Sequence, residues 1–449
     1  MIRDVAYELL LRVEQDDAYA NLVLPKLLKN SQVDSRDAGF IQELGFGAIR
    51  NRRLYELIIE VASKREIASV EQAARLILLL GIHQLLAMRV PAHAAINETV
   101  NLAKRKASKS AVGFVNAVLR RVSEKSRDQW IGVITRGSKD LDQVLSDEYS
   151  HPMWILRSLK SALAARGLEN TLVELLKADN TPAKVSIVAL PGFSQPGDFS
   201  EIGEVGGASP LGIEIHENPA VIEAVKNGFA RVQDQGSQLA VLALTEVDLA
   251  IPDSHWLDVC AGPGGKAALL AALARPERIR FTANEISEHR AKLVENALNP
   301  ITNVSVERRD GREFGEVGPN YSRVLLDAPC TGLGALRRRP EARWRKQAGD
   351  IKDLSKLQRE LFDSCWRSLL PGGVLAYVTC SPHLSETTNH VSWAMSRYGA
   401  ELEVVNANTV LNAVNSNLDL DEGFLTAQLW PHTNGTDAMF IALFRKSLN

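Results

Sequence analysis

From residue 256 onward the apolar residues fall into short runs separated by amphipathic stretches, and no other feature constrains the fold as strongly. Runs at 256–259, 279–283, 304–307, 323–326, 374–378 and 439–444 have the length and composition of buried strands. Stretches 266–273, 288–297 and 354–369 carry helical spacing between them. Apolar strands alternating with helices predict an α/β, doubly wound and mostly parallel sheet. In such sheets ligands collect beyond the carboxyl ends of the strands. The residues that follow each run are therefore the first candidates for a site.

The preceding half is different. Residues 1–130 read as a helical domain, with Val5, Leu9, Leu10 and Val13 spaced at helical steps. Asp34-Ser35-Arg36-Asp37 has the form of a helix start, and Pro91 that of a boundary between helices. Residues 131–245 form a mixed middle region and linker, with helix at 154–176, a strand at 185–190 and a loop over 191–212. A helix around 237–245 is expected to be capped by Ser237. The α/β domain then occupies 246–449. The apolar stretch 76–90 is interrupted by His83, Gln84 and Arg89, so it reads as a buried helix rather than a membrane span. With no secretory signal and no membrane segment in view, a cytoplasmic protein is expected.

Net charge is −2, so any nucleic-acid contact must rest on a local patch. One such patch runs from Lys104, Arg105 and Lys106 through Lys109, Arg120, Arg121 and Lys125 to Arg127, against the single acid Glu124. The four cysteines, Cys260, Cys330, Cys365 and Cys380, form no CxxC pair, so neither a metal site nor a disulfide framework is expected. Cys365 lies on an amphipathic stretch and reads as core filling.

The first α/β strand runs into Cys260-Ala261-Gly262-Pro263-Gly264-Gly265-Lys266. A glycine-rich turn before a helix admits a ligand close to the backbone and offers unpaired N–H groups. The pattern is neither a P-loop nor the dinucleotide spacing. Asp258, Glu285 and Asp310 follow three successive strands, which favours a nucleoside-type cofactor, with Glu285 placed for ribose hydroxyls. Two further strand ends deliver thiols, in Asp327-Ala328-Pro329-Cys330 and Thr379-Cys380-Ser381. A thiolate adds to carbons that other side chains cannot usefully attack. The residues alone leave open which cysteine attacks.

The glycine loop, Asp327-Ala328-Pro329-Cys330-Thr331-Gly332 and Thr379-Cys380-Ser381-Pro382 together resemble the Sun (Fmu-type) family of S-adenosylmethionine-dependent RNA cytosine-5 methyltransferases. Asp37-Ala38-Gly39-Phe40, Ala95-Ile96-Asn97-Glu98-Thr99-Val100 and Gly113-Phe114-Val115-Asn116 resemble the NusB-like RNA-binding domain. The resemblance implies a Rossmann-like methyltransferase domain behind a NusB-like one, S-adenosylmethionine as cofactor, and RNA, 16S rRNA in particular, as substrate. It implies that Cys260, Ala261, Gly262, Pro263, Gly264, Gly265, Lys266, Glu285, Asp310 and Asp327 bind or line the cofactor site. Cys380 would be the nucleophile and Cys330 would assist product release. Cytosine carbon 5 becomes nucleophilic once a thiolate has added at carbon 6, and Asp327 would polarise the ring. Arg337, Arg338, Arg339, Arg343 and Trp344, together with Lys104, Arg105 and Lys106, would contact RNA. No metal is implied, and a monomer is expected. The alternatives are the same chemistry on tRNA or 23S rRNA, or an RNA-binding assembly factor with a vestigial methyltransferase domain.

Overall fold

The computed structural model describes residues 2–16, 18–276 and 279–448. It divides into two compact units, one running up to Pro182 and including Leu336–Gln347, the other spanning Ala183–Ala335 and Ala348 onward.

The first unit is helical. Helices Ile2–Gln15, Ser35–Arg50, Arg52–Ser63, Gln72–Leu86, Ala92–Lys106 and Lys109–Val122 enclose one core. Gln72–Leu86 is its axis: Leu76, Ile77, Leu78, Leu79, Leu80 and Ile82 are all buried, which accounts for its apolar sequence on every side. Asp34 starts the Ser35–Arg50 helix by accepting from the Asp37 backbone N–H at 2.8 Å. Helices continue past residue 130, through Arg127–Ile134, Leu141–Glu148 and Met153–Ala164 to Leu172–Asp179. Arg53 ties this extension to the bundle, its guanidinium on Asp147 at 3.0 Å and its backbone N–H on Ser150 Oγ at 2.8 Å. The 131–245 stretch is thus shared between the two units.

In the second unit, β1 (Val185–Ala189), β2 (Gly203–Val205), β3 (Gly212–Ile215) and β4 (Ala230–Val232) form an antiparallel sheet in the order β2-β3-β1-β4. A short helix at Pro196–Phe199 and β2 occupy part of the stretch read as loop. The following helix begins at Gln235, and its cap is Asp234, which accepts from Gly236 N–H at 2.9 Å; Ser237 lies inside the first turn.

The larger sheet contains β5 (His255–Asp258), β6 (Arg280–Asn284), β7 (Val304–Glu307), β8 (Tyr321–Asp327), β9 (Leu369–Thr379), β10 (Leu402–Val405), β11 (Ala427–Gln428) and β12 (Phe440–Lys446). Its order is β10-β12-β9-β8-β5-β6-β7, with β11 pairing β12. Strands β5 to β9 run parallel, and β10, β11 and β12 pair antiparallel. The chain adds β6 and β7 on one side of β5, then crosses back to add β8 and β9 on the other. The crevice between β5 and β8 is therefore the topological switch point. The sheet is buried on both faces, with Leu257, Val324, Leu326 and Tyr377 in one core and Trp256, Leu325, Ala376 and Val378 in the other. Among the described residues no helix is long and apolar enough to cross a membrane.

Candidate active site

The glycine loop lies at the end of β5. Gly264 has φ 108°, and a Cβ there would stand 2.5 Å from the Cβ of Ala297, so only glycine fits the turn that starts helix Gly265–Ala274. A Cβ on Gly262 would fall 2.2 Å from Glu285 Oε2. Glu285 is 3% exposed and accepts from Gly262 N–H at 3.2 Å and Ser287 N–H at 3.0 Å. Arg290 reaches over the same turn, to Glu285 at 3.2 Å and the Gly262 carbonyl at 2.6 Å. Ala261 N–H is taken by the Asn284 carbonyl, which fastens the loop to the end of β6.

Asp258 is fully buried. One of its oxygens accepts from Cys260 N–H at 3.3 Å, while Oδ2 has no partner. Burial, reinforced by Asp327, pushes this carboxyl up to about 8. Burial also raises the half-buried Cys260 thiol well above its ordinary range. Asp310 caps the short helix Gly311–Val317, and its ion pair with Arg312, at 2.6 Å, holds its carboxyl below the usual range. A cradle open only because it lacks Cβ atoms, an unpartnered buried acceptor and acids at successive strand ends fit a cationic nucleoside cofactor such as S-adenosylmethionine.

Across the switch point, β8 and β9 bring the two thiols together. Asp327 pairs in register with Val378, so the loops that follow leave the sheet side by side. Cys330 Sγ and Cys380 Sγ are 3.5 Å apart. Lys266 comes from the glycine-loop helix, and its ammonium bonds Asp327 at 2.9 Å. Burial alone would lower the Lys266 ammonium; Asp327 and the Cys380 thiol outweigh it and leave it raised. Cys330 is raised well above the ordinary thiol range by its hydrogen bond with Cys380, by burial, and by the charges of Glu386 and Asp327. The two thiols thus have different charged neighbours. The Lys266 cation acts on Cys380, while Glu386 and Asp327 act on Cys330, and either sulfur can donate across the contact.

Beneath the thiols lies a polar layer that the strand and glycine patterns do not mark. Glu386 is wholly buried and accepts from Thr331 N–H at 2.9 Å, from the Thr331 hydroxyl, and from Gln358 at 3.2 Å. Thr331 and Ser381, the residues that follow the two cysteines, meet through their hydroxyls at 3.0 Å. The Tyr377 hydroxyl donates to the Glu386 carbonyl at 2.9 Å. Gln358 sits on helix Asp350–Ser368, where spacing identifies it only as polar. Among the described residues no cluster of His, Cys, Asp and Glu is arranged to hold a metal ion.

The arginine-rich segment belongs to the helical unit, and one of its expected RNA contacts, Arg343, is corrected. Arg343 is 1% exposed, and its guanidinium donates to the carbonyls of Arg50, Ser150 and Asp179 and to Asn180 Oδ1, at 2.7–3.3 Å. The Trp344 indole N–H donates to the Ile49 carbonyl at 3.0 Å. Arg343 has no face for a phosphate, and Trp344 is half-buried against the helical core. Arg337 is buried too, Arg338 is half-buried, and Arg339 is exposed beside Tyr19. Lys104, Arg105 and Lys106 are exposed in the last turn of Ala92–Lys106, with Arg105 paired to Asp4 at 2.8 Å.

The family described as "16S rRNA methyltransferase RsmB/F" matches residues 246–445, and the NusB family matches residues 1–124. A putative methyltransferase of Mycobacterium tuberculosis is 41% identical, covering 99% of this chain and 96% of its own length. The ribosomal RNA small subunit methyltransferase B of Pseudomonas putida is 32% identical, covering 85% of each chain. The crystal structure of PH0851 shares the fold, with a TM-score of 0.76 at 20% identity over 99% of this chain and 98% of that one. With a nucleoside cradle on one side of the switch point and paired thiols on the other, the chain belongs to the 16S rRNA methyltransferase RsmB/F family of S-adenosylmethionine-dependent enzymes, with a NusB-family domain at its N-terminus.

Proposed function

We propose that this enzyme methylates carbon 5 of a cytosine in 16S rRNA through a covalent bond between Cys380 and the base. The observation that carries the reading is the 3.5 Å approach of two thiols in unequal fields beside the glycine cradle. S-adenosylmethionine, held by the Cys260–Lys266 loop with Glu285, Asp258 and Asp310, supplies the methyl group. The target base must leave its stack to reach a thiolate at this depth.

Cys380 is the nucleophile because Lys266 favours its thiolate and the Cys330 S–H donates to it. Its sulfur bonds carbon 6, and the ring electrons shift to carbon 5, which takes the methyl group. Asp327, held by Lys266, accepts from the exocyclic amine and orients the ring, and the Lys266 ammonium beside it offsets the negative charge that develops at nitrogen 3. Elimination then follows: the proton on carbon 5 leaves to water, the carbon–sulfur bond breaks, and the Cys330 S–H hydrogen-bonds the departing Cys380 thiolate. Lys104, Arg105, Lys106, Arg338 and Arg339 are the cations proposed to hold RNA phosphate.

Bisulfite sequencing of ribosomal RNA from cells lacking the gene tests the reading. A single 16S cytosine should lose its methylation signal and regain it with the intact gene. Persistence of every 16S 5-methylcytosine contradicts the assignment, and loss of a site in tRNA or 23S rRNA instead moves the substrate.

A further inference from the structure

We propose that Glu386 is a positioning residue for this reaction, a buried carboxylate that holds the Cys330 loop against the Cys380 loop and keeps Cys330 in its thiol form. The proposal rests on the cysteine chemistry above and adds the group that sets it up. Glu386 is six residues beyond Cys380, yet its side chain bonds the residue after Cys330. It takes both the backbone N–H and the hydroxyl of Thr331. Thr331 in turn accepts from the Ser381 hydroxyl, so the carboxylate organises the residues next to both thiols through one chain of hydrogen bonds. Gln358 braces the same arrangement from the neighbouring helix, donating to Glu386 at 3.2 Å and to the Pro329 carbonyl at 2.9 Å.

The side chain is 0% exposed and fully engaged, so it is not a substrate contact. A purely structural tie between two loops needs no charge, and an amide could serve. A negative charge here has a second consequence, because it opposes ionisation of the thiol it sits beside. The ionisable groups acting on Cys330 are Cys380, Glu386 and Asp327. Those around Glu386 are Tyr377 and His383, with Arg359 near Tyr377.

The test compares Glu386→Ala and Glu386→Gln in the full chain. The first readout needs no RNA: peptide-resolved iodoacetamide alkylation of Cys330 against pH, in a Cys380→Ser background. Removal of the charge should move the alkylation midpoint toward acid in both variants. The second readout is turnover on ribosomal RNA. Glu386→Ala should lower kcat by about a hundredfold, the scale of a roughly 1 Å misplacement. Glu386→Gln should recover most of that loss, with the KM for S-adenosylmethionine unchanged in each. If Glu386→Ala does not fold, Glu386→Gln alone decides through its alkylation midpoint. An unmoved midpoint, or full turnover in Glu386→Ala, overturns the proposal. Absence of methylation by the unsubstituted enzyme would instead overturn the cytosine chemistry, and the thiol titration would still read Glu386.

Discussion

Gly262 and Glu285 show how narrowly the loop is built. The carboxylate occupies the volume where a side chain on Gly262 would begin, and it bonds that residue's own N–H. Gly262→Ala should weaken S-adenosylmethionine binding roughly tenfold, since overpacking a fixed site costs about 1–3 kcal/mol. Glu285→Asp withdraws the carboxylate by one methylene, so the double variant should bind more tightly than Gly262→Ala alone. Titration calorimetry on the four proteins measures this, and additive losses would mean the two positions do not share one space. The loop and both cysteines were legible in the sequence because glycine, proline and cysteine directly after apolar runs mark strand ends where the backbone turns sharply and a thiol is presented. The division of labour proposed for the thiols was not legible in the residues alone. It depends on Lys266 and Glu386, whose approach is set by tertiary folding and not by spacing along the chain.

At the level of elements, six strands of the larger sheet announced themselves by apolar runs. β10 and β11 did not, being a four-residue edge strand broken by Glu403 and a two-residue pairing. The stretch 191–212 looked like loop because Gly, Pro and Ser dominate it, and pairing with β3 imposes β2 upon it. The arginine-rich segment was misread for a physical reason. Composition cannot distinguish a guanidinium that meets phosphate from one that meets carbonyl oxygens. Arg343 meets four oxygens, and burial lowers its ionisation to about 9. Arg343→Ala leaves those acceptors dry and unpaired, so the helical unit should lose at least about 3 kcal/mol, given roughly 1–3 kcal/mol for each buried unsatisfied group. Arg343→Lys should rescue little, because one ammonium cannot reproduce a planar fork. Chemical denaturation followed through signals of the helical unit decides. A loss under about 1 kcal/mol would make Arg343 an available cation again.

Across the whole molecule, buried histidines set the acid limit. Burial lowers His151 and His255 to about 4 and His390 to about 3. Each is neutral in the fold and protonates near 6.5 in the unfolded chain. Between those values the unfolded chain binds more protons, so stability is present above about 6.5 and is lost as pH falls toward 4. His390 stacks on Tyr377 at 4.0 Å with both ring nitrogens unpartnered. His390→Phe should keep the stack and flatten the loss measured by denaturation at pH 7 and pH 5; an unchanged slope would remove His390 from the account. The central claim concerns the order in which the thiols act, and trapping the covalent complex tests it most directly. When Cys330→Ala is incubated with substrate RNA and S-adenosylmethionine, a denaturant-resistant protein–RNA adduct should accumulate, with peptide mapping placing the RNA on Cys380, and Cys380→Ala should form none. An adduct that survives Cys380→Ala, or one mapped to Cys330 in the unsubstituted enzyme, would contradict it.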